Sequence, residues 1–199
     1  MGSFYKKIKR LTDIAVAGSV LSGSIPLLFF IAMAVKFDSP GPAIFRQKRL
    51  GKGGRIFEIL KFRTMYSGAS VVIGSDNTVL NSSSDDRVTK IGKLLRKTSI
   101  DELPQLINIL SGDMSLIGPR PDLPEALDMY KGEERTKLNV KPGITGFAQV
   151  SGRNLLDARQ KWALDVQYAK NVSLSLDVKI IVKTILKVIE HEGIYKEID

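Results

Sequence analysis

The sequence predicts an α+β fold, a mostly helical single domain with one β-hairpin and an N-terminal re-entrant membrane helix. Three observations carry this reading. Residues 14–35 hold no charged side chain, two strand-like runs flank a glycine turn, and most of the later chain places apolar residues at helical spacing. The expected division is a basic N-terminus and membrane helix over residues 1–37, then a cytoplasmic domain with amphipathic interfacial helices over 38–199.

At about 1.5 Å per residue, the uncharged run is long enough to cross a bilayer as one helix. Pro26 interrupts it, because proline lacks the N–H that would bond the Ser22 carbonyl and its ring crowds that turn. Ser22 and Ser24 offer partners to the freed backbone groups. Lys6, Lys7, Lys9 and Arg10 precede the run, and Lys36, Arg46, Lys48, Arg49, Lys52 and Arg55 follow it. Positive residues gather on the cytoplasmic side of a span. Two basic flanks therefore suit a helix that kinks at Ser24 and Pro26 and leaves on the face it entered. The alternative is a spanning signal anchor with a tolerated proline. A cleaved signal peptide fits poorly, since the apolar run is too long and its downstream flank too basic.

Asp38-Ser39-Pro40-Gly41-Pro42 ends this helix. Residues 43–48 and 55–62 flank Gly51-Lys52-Gly53-Gly54 and predict a β-hairpin. Residues 67–86, rich in Ser, Gly, Asn and Asp, read as a long loop. Helices are expected over 88–97 and 102–111, followed by a loop through Gly118-Pro119-Arg120-Pro121. Residues 123–138 read as mostly helical with Pro124 in the first turn. Residues 141–146 read as a turn-rich loop, 147–150 as a short strand and 157–170 as a helix. In a last helix, 176–190, Lys179, Lys183 and Lys187 lie opposite Ile180, Ile181, Ile185, Val188 and Ile189. Such a helix either lies among lipid headgroups or packs its apolar side on the core.

The net charge of +9 calls for an anionic partner. With five Tyr, one Trp and no basic-aromatic recognition motif, nucleic acid is not expected. An anionic phospholipid membrane and phosphorylated substrates fit better. The chain has no cysteine, and its one histidine, His191, lies near the C-terminus. Thiol catalysis, disulfides, Cys/His zinc sites and a triad around a central histidine are thereby excluded. Any chemistry must run on carboxylates, Lys, Arg and hydroxyls, with or without an oxygen-liganded metal.

Residues 96–106 concentrate such groups. Adjacent carboxylates on a helix point about 100° apart, so Asp101 and Glu102 can serve one site in different roles. Pro104 is tolerated only in a first turn, which places both acids at a helix N-terminus, where free N–H groups favour anions such as phosphate. Capping is the competing reading, with Ser99 or Asp101 as cap and Glu102 closing a Ser-x-x-Glu box. Arg120, fixed between Pro119 and Pro121, suits bidentate phosphate binding. Lys61 and Arg63 add cations at a strand end, while Gln149 and Arg153 flank glycine turns. Gly51-Lys52-Gly53-Gly54 is no P-loop, because no Gly-Lys-Ser/Thr follows.

In chain order, Lys61-Phe62-Arg63-Thr64-Met65, Ser99-Ile100-Asp101-Glu102-Leu103-Pro104-Gln105, Gly112-Asp113-Met114-Ser115, Gly118-Pro119-Arg120-Pro121, Pro142-Gly143-Ile144-Thr145-Gly146 and Gly152-Arg153-Asn154 form a series. With the basic N-terminus and the apolar helix, this series resembles the bacterial sugar transferases, the monotopic phosphoglycosyl transferases, over nearly the whole chain. The length is similar to that of the small members. The family's helix often breaks at a Ser-Pro pair, whereas here Ile25 precedes Pro26 and Ser24 stands one place earlier.

The resemblance implies transfer of a sugar 1-phosphate from a UDP-sugar to a polyprenyl phosphate, usually undecaprenyl phosphate, with release of UMP. It implies Mg2+ as cofactor, Asp101 as nucleophile forming a phosphosugar-aspartyl intermediate, and Glu102 as metal or proton partner, with either acid a metal ligand. By the same resemblance Lys61 and Arg120 bind nucleotide phosphate, Arg96 holds the lipid or acceptor phosphate, and Gln149 and Arg153 belong to the donor pocket. Arg63 and Pro121 fall within the matching motifs and are grouped with the substrate-binding residues. The expected place is the cytoplasmic face of the bacterial inner membrane, at the start of glycoconjugate assembly. A homodimer is compatible with these readings, although no segment demands one.

Overall fold

The computed structural model describes residues 2–69, 85–152 and 156–190. The long helix α1 (Ser3–Asp38) is followed by an antiparallel hairpin of β1 (Ile44–Leu50) and β2 (Ile56–Phe62). Its register runs from Ile44 opposite Phe62 to Leu50 opposite Ile56. Gly53 and Gly54, at φ of 68° and 79°, make the turn in the left-handed region that glycine adopts without a Cβ penalty. The free edge of β2 is closed by a side chain. Asn108 accepts from the Leu60 N–H at 3.0 Å and donates to the Glu58 carbonyl at 2.8 Å. Asn108 belongs to α3 (Gln105–Ser111), whose Leu106 and Ile109 join Phe57, Ile59, Met114 and Ala17 in one core cluster.

Both ends of α1 are tied to this domain. Near the start, Tyr5 Oη and Lys9 Nζ each donate to Asp177 Oδ2 at 2.7 Å, and Arg10 bonds the carbonyls of Ile109 and Leu110. Asp13 accepts from Ser115 Oγ and the Leu116 N–H. Near the end, Ile31 and Val35 pack against Phe62 and Leu95, and Asp38 accepts from the Ile91 N–H at 3.0 Å. Between them, Ser22, Gly23, Ile25, Pro26 and Leu27 are exposed, and so are Phe29 and Phe30. The helix is long and apolar enough to cross a membrane, and it continues through Pro26. Ser24 Oγ bonds the Leu21 carbonyl at 3.1 Å, one residue before the Ser22 carbonyl that Pro26 leaves without its N–H donor.

Helix α2 (Lys90–Thr98) is capped by Thr89, whose side chain accepts from the Gly92 N–H. It lies so close to the hairpin's end that a Cβ on Gly92 would overlap the Thr64 carbonyl. Downstream, four expectations are corrected. Residues 123–138 form two 3-10 segments, Pro124–Asp128 and Gly132–Asn139, broken by Gly132 at φ 53°. The expected loop at 141–146 contains β4 (Gly143–Thr145), which pairs in parallel with β3 (Ser115–Ile117), a strand within another expected loop. The expected strand at 147–150 is the short helix α4 (Phe147–Ser151), entered from an extended Gly146 and braced by the Gln149 amide on the Ile144 carbonyl.

Helix α5 (Ala158–Lys170) begins with a reciprocal capping box between Asp157 and Gln160. It carries Asp165 against Lys137, which is buried and bonds Asp165 at 2.6 Å and Asp122 at 2.7 Å. Helix α6 (Leu174–Glu190) buries Ile180 but exposes Leu174, Val178, Ile181, Val182, Ile185 and Leu186. The core therefore takes one stripe of α6 and leaves a wide apolar face uncovered by the domain.

Candidate active site

Asp101 and Glu102 sit on a single 3-10 turn, Ile100–Glu102, wedged between α2 and α3. The preceding residue, Ser99, ends α2 with φ 56°, the one non-glycine in the left-handed region among the described residues. Such a conformation costs energy for any residue with a Cβ, and strain of this kind gathers at functional sites. The capping alternative does not hold here, because neither Ile100–Glu102 nor α3 has a side-chain hydrogen bond at its N-cap.

The hairpin's end delivers Lys61, whose Nζ lies 2.5 Å from Glu102 Oε1. Arg120 reaches the same oxygen at 3.8 Å with its own side chain half exposed. Asp101 sits among Lys61, Glu102, Arg96 and Arg120 and is pushed up to about 6 by burial. Lys61 pulls it back down, the Glu102 charge adds to the rise, and the two arginines oppose it. The result is a carboxyl more basic than usual and set among cations.

The Arg120 loop is held at nearly every residue. Gly118 N–H bonds the Thr145 carbonyl and Gly143 N–H bonds that of Pro119, both at 2.9 Å. Lys137 Nζ donates to the Arg120 carbonyl at 3.4 Å and an Arg49 guanidinium N–H to that of Pro121 at 3.1 Å. Pro121 is thus a buried fixture of the loop, and Arg120 the part that projects. Arg96 donates through Nε to Thr64 Oγ1 at 2.9 Å, which fixes it beside the hairpin's end.

One of the sequence-derived residues serves another part of the fold. Arg63 is buried and holds the end of α1, donating to the carbonyls of Val35, Ser39 and Pro40 and to Ser67 Oγ. Gln149 lies on α4 with its Oε1 buried and unbonded. Arg153 falls outside the described residues. Sequence reasoning missed Asn108, Thr64 and Lys137, which position the site without carrying its chemistry. Asn108 had a signal, since it is the polar residue inside Leu106-Ile107-Asn108-Ile109-Leu110.

A model described as the bacterial sugar transferase family matches residues 4–191. The chain belongs to the bacterial sugar transferases. It is an enzyme, a phosphoglycosyl transferase, as its motifs imply. A sugar transferase of Bacillus subtilis, EpsL, of uncharacterized function, is 42% identical over 94% of this chain and 90% of its own length. A UDP-glucose:undecaprenyl-phosphate glucose-1-phosphate transferase of Caulobacter vibrioides is 42% identical over 94% of the chain and 72% of its own length. An Escherichia coli protein of the same name is 40% identical, again over 94% of the chain but only 41% of its own length.

Proposed function

We propose that this sugar transferase moves a sugar 1-phosphate from a UDP-sugar to undecaprenyl phosphate, releases UMP, and so starts the assembly of a membrane glycoconjugate. The observation that carries the reading is Asp101, a half-buried carboxyl pushed up to about 6, beside Glu102 and within the field of Lys61, Arg96 and Arg120. The names of the Caulobacter and Escherichia coli relatives support the donor class and the acceptor.

The reaction divides one displacement into two. The Asp101 carboxylate attacks the β-phosphorus of the donor, an acyl-phosphate bond forms, and the bond to UMP breaks. A phosphate oxygen of the polyprenyl acceptor then attacks the same phosphorus and restores the carboxylate. Lys61 and Arg120 hold and neutralise the diphosphate, and Arg96 receives the acceptor phosphate. Gln149 and Arg153 are assigned to the donor pocket.

Magnesium fits the donor set. Among the described residues no three His, Cys, Asp or Glu side chains form a cage. Mg2+ is commonly held by one or two carboxylates with the remaining positions left to water and substrate phosphates, and Asp101 with Glu102 offers that pair. Bound there, it would supply charge neutralisation to the diphosphate and to departing UMP.

The same reading makes α1 a re-entrant helix at the cytoplasmic face of the bacterial inner membrane. A spanning helix has its ends about 30 Å apart, on opposite sides of the hydrocarbon. Here Tyr5 and Lys9 at one end and Val35 and Asp38 at the other touch one domain, while the apolar middle is exposed. That arrangement supports entry and exit on one side, with the uncovered face of α6 resting on the same surface.

The test is UMP release by detergent-solubilised protein given undecaprenyl phosphate, Mg2+ and a panel of UDP-sugars. Lipid-dependent release with one donor, lost in Asp101→Asn, is the expected result. Full turnover by Asp101→Asn would overturn the covalent route.

A further inference from the structure

A cavity of about 320 Å³ lies apart from the Asp101 site. Lys6, Lys9, Arg10, Lys52 and Lys141 line it together with one carboxylate, Asp13, while none of Asp101, Glu102, Lys61, Arg96 and Arg120 does. Lys52 lies in the hairpin turn and Lys61 at the far end of β2, so the length of that strand, roughly 17 Å, separates cavity from site.

The charges of this cavity are not balanced from within. Lys6, Lys9, Arg10 and Asp13 share one face of α1 by their spacing. Asp13 is engaged by Ser115 and the Leu116 N–H, Lys9 is paired with Asp177, and Arg10 bonds two carbonyls. Lys6, Lys52 and Lys141 have no carboxylate within ion-pair distance among the described residues. Burial, with the charges of Arg10 and Lys52, holds the Lys141 amine below its ordinary range in spite of Asp13. An anion entering the cavity would relieve that repulsion. Ile117, Val140 and Val172 add apolar lining to the same cavity.

The mouth borders membrane-facing elements under the reading proposed above. Val172 leads directly into α6, whose Leu174 and Val178 are exposed, and the basic wall is the first part of α1. We propose that this cavity is a second phosphate-binding site, separate from the transfer site, which takes the phosphodiester of an anionic lipid headgroup. The lysines hold the phosphate, and the apolar lining meets the first carbons of the chains. The assignment rests on charge and geometry at this cavity and does not require the transfer reaction.

Calorimetric titration of the full chain in detergent with dihexanoyl-phosphatidylglycerol, dihexanoyl-phosphatidylcholine and inorganic phosphate tests it. The anionic lipid should bind at least tenfold more tightly than either of the others. A double variant, Lys52→Ala with Lys141→Ala, should lose at least tenfold in that affinity, while UMP release in micelles stays within twofold of the parent. Lys52→Arg with Lys141→Arg should retain binding, which guards against a merely misfolded double variant. Equal affinity for inorganic phosphate and lipid, both lost in the alanine pair, would overturn the lipid source and assign a soluble phosphate. Undiminished lipid affinity in a folded alanine pair would overturn the site itself.

Discussion

Lys61 Nζ and Glu102 Oε1 meet at 2.5 Å, joining the last turn before α3 to the end of β2. The contact fixes Glu102 and also places a cation beside Asp101, where it offsets part of the rise caused by burial. One lysine thus orients one acid and tunes its neighbour.

The pH dependence follows with a definite sign. On the covalent route proposed above, Asp101 attacks in its ionised form, so kcat/KM should fall roughly tenfold per unit as pH drops below an apparent value of about 6. Lys61→Met removes the lysine's pull, so the acid limb should move to higher pH and activity at pH 7 should drop at least tenfold. A pH–rate profile of both proteins decides it. An unmoved limb in Lys61→Met would remove Asp101 as its source.

Asn108→Ala should damage both fold and rate. It leaves the Leu60 N–H and the Glu58 carbonyl without their partner on a closed strand edge. An unsatisfied group costs about 1–3 kcal/mol when fully buried, and these two bonds are part-buried. The expected loss is about 1–3 kcal/mol in denaturant melts, with kcat/KM at least tenfold lower as β2 loosens from α3. Asn108→Asp retains only the acceptor and should fall between the two.

Much of the site was legible because its signals are local. Pro104 placed Asp101 and Glu102 before a helix, and the glycine turn placed Lys61 at a strand end. What failed was long-range. Strand alternation would put Lys61 and Arg63 on one face, but β2 ends at Phe62, and Arg63 turns instead to the carbonyls that close α1. The pairing of Gly143–Thr145 with Ser115–Ile117 joins two segments too short for any period to show. Nothing near Lys137 in sequence announces that Asp165 will bury it.

Lys137→Met tests how that buried charge serves the Arg120 loop. The lysine amine is held above its ordinary range: burial alone would lower it, but Asp122 and Asp165 outweigh that effect. Removing it strands two carboxylates, one of them wholly enclosed. Breaking a buried pair from one side costs about 3–5 kcal/mol, on the order of a 10 °C fall in Tm for a chain of this size. The defect should shrink as pH falls, since protonation discharges Asp165, which burial already pushes up to about 6. Calorimetry at pH 5.5 and 8 checks the direction, and a defect larger at pH 5.5 would contradict it.

The path of α1 is open to a clean labelling test, because the chain has no cysteine of its own. Gly2→Cys and Lys48→Cys mark exposed positions on either side of the apolar run, and Ile25→Cys marks its exposed middle. A membrane-impermeant maleimide should label the first two from the cytoplasmic face only, and Ile25→Cys from neither face. Labelling of Gly2→Cys from the outer face, with Lys48→Cys still cytoplasmic, would make α1 a span. That outcome would also require Tyr5 and Lys9 to leave Asp177, and Asp13 to leave Ser115. A buried acid left without its partners costs about 1–3 kcal/mol or more for each lost bond. On the proposed re-entrant path both ends of α1 keep these contacts, and the labelling pattern reads directly whether they hold.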